Sequence, residues 1–173
     1  MIRDEHGFSL IILAVAVAIS AVIAAGAGMT TVQVINGTQR NNDHATAIRQ
    51  AQNLGSWFSR DALMAQTINA TDDSGTADDE FVIIYWKDWE SGDTHDIRYV
   101  WLDGADSLKY LQRKQITRDK NSIETGNTTT LVAGNVYSAN LTQQTNTWCL
   151  SVETRSGQKS LIREYKIGQR LAQ

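Results

Sequence analysis

Phe8-Ser9-Leu10-Ile11-Ile12-Leu13-Ala14-Val15-Ala16-Val17-Ala18-Ile19-Ser20-Ala21-Val22-Ile23-Ala24-Ala25-Gly26-Ala27-Gly28-Met29 is the stretch that decides the fold. It follows directly on the polar Arg3-Asp4-Glu5-His6-Gly7, and no charged side chain appears again until Arg40. As a helix rising about 1.5 Å per residue, its roughly 22 residues reach about 33 Å, which matches the hydrocarbon core of a bilayer. The segment is long enough to span a membrane.

Two ordinary readings compete for such a segment. A secretory signal peptide also has a polar start, an apolar run and small residues near Ala24, Ala25 and Gly26. Its apolar region is usually ~7–15 residues behind a basic start, whereas this run is longer and residues 1–7 carry two acids against one Arg. A plain transmembrane anchor is the second reading, and composition alone does not separate it from the others.

The junction itself adds a third reading. Gly7-Phe8-Ser9-Leu10 resembles the processing site of type IV prepilins and of the pseudopilins of type II secretion, whose short polar leader ends in Gly before Phe-(Thr/Ser)-Leu. The resemblance implies that a membrane aspartyl peptidase cuts between Gly7 and Phe8, methylates the new N-terminus at Phe8, discards residues 1–7 and leaves the apolar helix in place. The family usually has Glu at the fifth residue after the cut, where this chain has Ile12. A carboxylate buried in lipid is costly, so its usual presence implies a partner, taken to be a neighbouring subunit's N-terminal amine. Without it the chain loses the attraction that sets axial register against a preceding subunit. That departure points to a minor subunit, with a place at the filament tip as one reading.

Residues 30–70 read as an amphipathic continuation of the helix. Ile48, Ala51, Leu54, Phe58, Ala62, Ala65 and Ile68 recur at three- and four-residue intervals, with Arg49, Gln52, Ser56, Arg60 and Gln66 between them. No Pro occurs in the chain, and Gly26, Gly28 and Gly37 are the points where the helix would bend if it does. Asn69 to Gly75 supplies the expected end. Beyond it, residues 71–173 form a globular β-rich domain with expected strands at 81–86, 97–102, 107–113, 130–133, 136–141, 148–154 and 160–167. Asp103-Gly104 and Ser156-Gly157-Gln158 mark turns. The expected architecture is α+β: a long N-terminal helix, its first half transmembrane, packed on a mostly antiparallel sheet. Leu54, Phe58, Ser59, Arg60 and Asp61, then the Arg98-Tyr99-Val100-Trp101-Leu102-Asp103-Gly104 run and Leu131-Val132-Ala133-Gly134-Asn135-Val136, resemble the J-type minor pseudopilins in outline.

Chemistry is sparse. The net charge is −3 and Lys and Arg form no block, which argues against strong phosphate or nucleic-acid binding. Asp72, Asp73, Asp78, Asp79 and Glu80 offer oxygens for Ca²⁺, which related pseudopilins sometimes bind, but their spacing matches no EF-hand, and a solvated loop is the favoured reading. His6, His44, His95 and Cys149 lack zinc spacing, and Asp93, His95 and Asp96 read as a turn more readily than a metal site. Ser151 or Ser160 with His95 supplies residue types for a hydrolase but no nucleophile elbow, so no catalytic residue and no cofactor is expected. Trp86, Trp89, Trp101 and Tyr99 are core or cross-strand residues before they are a binding face. Asn36, Asn69, Asn127 and Asn140 each open an Asn-X-Thr triplet, read as ordinary polar positions. Lone Cys149 excludes an intrachain disulfide and reads as a small packed side chain.

The resemblance implies as partners other pilin or pseudopilin subunits, the prepilin peptidase, the membrane assembly platform, and the lipid bilayer before assembly. The location it implies is the cytoplasmic membrane, with the globular domain outside, followed by the filament. A tip adhesin or DNA-uptake receptor, and a single-pass anchor carrying an exported β domain, are the alternatives.

Overall fold

The computed structural model describes residues 6–71, 73 and 75–168. Among the described residues one helix, α1 (His6–Met64), precedes seven strands: β1 (Thr67–Asn69), β2 (Asp79–Lys87), β3 (Thr94–Asp103), β4 (Lys109–Arg118), β5 (Glu124–Gln144), β6 (Thr147–Ser156) and β7 (Lys159–Gly168). The strands form one antiparallel sheet in chain order. The α+β architecture expected from the sequence is present.

The chain divides into two compact units, residues 1–42 and 43–173. In the first, α1 runs unbroken through Gly26, Gly28 and Gly37, none of which has a neighbour within 4 Å of where a Cβ would sit. Its aliphatic side chains are exposed on every side, from Leu10 at 69 % to Ile35 at 59 %. No described residue of this unit buries them.

In the second unit the last turns of α1 lie on the sheet. Ala47, Ala51, Leu54, Phe58 and Ala62 recur every three or four residues and are fully buried. The sheet answers with period-two sets: Val82 and Ile84 from β2, Ile97 and Tyr99 from β3, Leu111 from β4, Leu150 and Val152 from β6. Polar bonds fix the helix in register on this apolar contact. Asn53 donates to the Val132 carbonyl at 2.7 Å, Thr154 to the Ala47 carbonyl at 2.8 Å and Tyr165 to the Ala51 carbonyl at 2.9 Å.

Two expectations change. The helix stops at Met64, short of the expected 70, so Ala65 and Ile68 leave it although they continue its spacing. The chain reverses there: the Gln66 N–H donates to the Tyr85 carbonyl, and Thr67–Asn69 adds a short strand to β2. Pairing with that edge outweighs one further helical turn, and Ala65 stays buried by packing on the core. The strands expected at 130–133 and 136–141 are one, β5. Gly134-Asn135 is a bulge inside it, with Asn135 at φ +54° and the ladder to β4 skipping from Ala133 to Val136. Gln50 Oε1 accepts the Gly134 N–H at 2.8 Å, so α1 satisfies a donor that the bulge takes out of the ladder.

Candidate functional site

The surface with most to explain is the apolar stretch of α1. An 18-residue window of it reaches a mean hydropathy of 2.8, and the helix is long and apolar enough to cross a membrane. The hydroxyls between Leu10 and Thr31 are accommodated inside the helix. Ser20 donates to the Ala16 carbonyl at 2.8 Å, and Thr30 and Thr31 donate to Gly26 and Ala27 at 2.9 Å. Lipid offers no hydrogen-bond partner, so this back-bonding removes the cost those side chains would carry there. Ile12 stands in the stretch at 55 % exposure, an apolar side chain at the acid position of the resemblance. Gly7 and Phe8 fall in the first turns of α1, and residues 1–5 of the expected leader lie outside the described residues.

The acidic connector is engaged by cations from the sheet. Arg98 meets Glu80 at 2.9 Å, Asp96 at 3.2 Å and Asp73 at 3.4 Å; Lys114 meets Asp78 at 2.5 Å and Lys109 meets Asp79 at 3.4 Å. Glu80 is buried and also accepts from the Thr76 hydroxyl at 2.7 Å and the Asp73 N–H at 3.1 Å. The acids considered for Ca²⁺ therefore spend their charge on Arg98, Lys109 and Lys114, and they strap the connector to the sheet. Asp72 lies outside the described residues. No group of three His, Cys, Asp or Glu side chains arranged to hold a metal occurs among the described residues.

The remaining candidates do not converge. His95 stacks on Trp86, with ring centroids 3.8 Å apart, and its Nδ1 lies 3.2 Å from the Thr117 hydroxyl. Burial lowers its pKa, against the opposing charges of Asp93 and Asp88. Ser151 on β6 and Ser160 on β7 are separated from His95 on β3 by at least two intervening strands, about 14 Å at about 4.8 Å per strand. The hydrolase constellation is thus not assembled. Three of the four aromatics lie on the core side of the sheet, Tyr99 buried and Trp86 and Trp101 half-buried against the core with Trp101 edge-on to Phe81, while Trp89 is 81 % exposed, so they form no common binding face. Cys149 is half-buried on β6, unpaired.

Sequence reasoning missed the buried ion pair. Asp61 and Arg113 are 3 % and 6 % exposed. Arg113 donates from Nε to Asp61 Oδ2 at 2.6 Å and from Nη2 to Oδ1 at 2.9 Å, and the Tyr99 hydroxyl donates to Oδ2 at 2.6 Å. Burial alone lowers the pKa of Arg113, but the hydrogen bonds and charge of Asp61 outweigh it and hold the guanidinium above its usual value. Burial, reinforced by the Asp61 charge, pushes the Tyr99 phenol well above its ordinary range. A signal was present: Asp61 falls three residues after Phe58 on the buried stripe, and Arg113 alternates with Leu111 on the inward side of β4.

No protein-family model matches the chain, and no curated protein and no solved structure matches it.

Proposed function

We propose that this chain is a structural subunit of a filament of the type IV pilus or type II secretion kind, a minor one, held in the cytoplasmic membrane by α1 until assembly. The observation that carries the reading is the Gly7-Phe8-Ser9-Leu10 junction standing directly before a helix that is apolar on all sides and bonds its own hydroxyls. Cleavage after Gly7 frees a stem that still has its whole apolar length. An assembly platform then draws the stem from lipid among the stems of other subunits, with the sheet domain outermost.

Lipid is as apolar as the stem, so burial alone gives little net drive and close packing decides. Ala14, Ala16, Ala18, Ala21, Ala24, Ala25, Gly26 and Gly28 let neighbouring backbones approach. Ile12 removes the usual axial attraction, which suits a subunit with no predecessor to grip.

Mass spectrometry of the native N-terminus from host membranes tests this. A chain beginning at N-methylated Phe8 is the expected result. Intact Met1, as for a plain anchor, or a start near Gly26, as for a signal peptide, overturns it. A soluble partner that binds the sheet domain more tightly than sister subunits do would move the role to a tip receptor.

A further inference from the structure

We infer that β7 is the acceptor edge for an extended, acidic strand of another polypeptide. The two edges of the sheet differ. β1 contributes three residues, whereas β7 contributes ten and pairs with β6 without a register shift from Thr147↔Gly168 to Ser156↔Lys159. Gly157, at φ +54°, makes the two-residue hairpin turn, which closes on Ser156 and Lys159 as a hydrogen-bonded pair. Alternation then turns the N–H and C=O of Ser160, Ile162, Glu164, Lys166 and Gly168 away from β6, toward the open edge. No described residue pairs with that side.

Long edges are ordinarily blunted by Pro, bulges or charged side chains, Lys above all, because a flat one templates further pairing, and like charges repel a strand of the same sign while leaving one of opposite sign free to pair. β7 has no Pro and no bulge, and Ile162 in its middle is 64 % exposed. Its charges choose the occupant. Lys159, Arg163 and Lys166 stand against Glu164, and none of the three cations has a carboxylate partner among the described residues. A second copy fits poorly. The two registers of greatest overlap that keep like faces together set Arg163 opposite Arg163, or Glu164 opposite Glu164. An incoming strand with acids facing the cations and an aliphatic residue beside Ile162 gains both the ladder and the ion pairs.

The test uses the full chain in lipid nanodiscs and amide hydrogen exchange. The probe is a synthetic extended peptide of about nine residues with Asp where it meets Lys159, Arg163 and Lys166 and Val between; its control carries Lys in place of Asp. The expected result is at least about tenfold slower exchange at Ile162, Glu164 and Lys166 with the Asp peptide and none with the Lys peptide. Ile162→Pro deletes an outward N–H while leaving the bonds to β6, so protection should vanish with β6 exchange unchanged. If that variant does not fold, Arg163→Glu with Lys166→Glu serves instead, and preference should switch to the Lys peptide. Equal protection by both peptides, or edge amides already slow without peptide, overturns the inference. Dilution in the latter case separates a second copy, whose protection falls, from the chain's own cover, whose protection stays.

Discussion

Removing the Asp61 carboxylate should be among the most damaging single changes in the sheet domain. Asp61→Ala takes away three hydrogen bonds and the counter-charge of a guanidinium that is 6 % exposed, and it leaves Arg113 and the Tyr99 hydroxyl in the core without their acceptor. Breaking a buried pair from one side costs about 3–5 kcal/mol, against a typical domain stability of about 5–15 kcal/mol. The midpoint of guanidinium unfolding, followed by tryptophan fluorescence, should fall accordingly. Trp57 is a suitable reporter because the Arg113 guanidinium lies 5.1 Å from its ring. The companion variant is Asp61→Leu with Arg113→Met, which removes both charges at similar volume. It should recover most of the loss, because a buried pair replaced by apolar side chains is often neutral or stabilising. The reasoning fails if Asp61→Ala costs less than about 1 kcal/mol, the scale of a surface pair, or if the double variant is no better than the single.

Three further outcomes follow from the same geometry. The native Tyr99 keeps its proton where the unfolded chain, with a pKa of about 10, has lost it, so stability should fall above pH 10 by about 1.4 kcal/mol per unit from this group; Tyr99→Phe should remove that part of the slope in alkaline denaturation. A Cβ on Gly55 would land in the Tyr165 ring, so Gly55→Ala should destabilise by about 1–3 kcal/mol despite its better helix propensity, and adding Tyr165→Ala should restore the sign expected from propensity. If the chain is a minor subunit without need of the axial acid, Ile12→Glu should leave filament incorporation unchanged or reduced, as counted by immunolabelling along filaments; a large gain along the shaft refutes that role.

Local period carried much of the fold. The stripe of Ala51, Leu54, Phe58 and Ala62, the alternation in β2 and β3, and the Asp103-Gly104 and Ser156-Gly157 turns were legible because each is set by neighbours in sequence. The helix end was not. Ala65 and Ile68 keep the helical spacing, and what ends the helix is the backbone of Tyr85 and Ile83, far along the chain. The connector acids show the same limit: as a run they read as a solvated loop, and only the fold brings Arg98, Lys109 and Lys114 to them. The proposed processing junction is the opposite case, since a peptidase would read residue identity in order and such a signal is local.

Asp61 and Gly134-Asn135 share one physical cause for being hard to read. Each breaks a local rule, a charge on a buried stripe or a turn-type dipeptide inside a strand, and each is made good by α1 meeting the sheet: Asp61 takes Arg113 and Tyr99, and Gln50 takes the Gly134 N–H. Apolar contact between α1 and the sheet is non-directional and tolerates sliding, whereas these bonds are satisfied at one register only. With Asn53 on Val132 and Thr154 on Ala47, they fix α1 along the sheet at several levels between residues 47 and 61. Sliding residues 47–61 of α1 along the sheet would therefore break all of these bonds at once, a cost that the apolar contact alone does not impose.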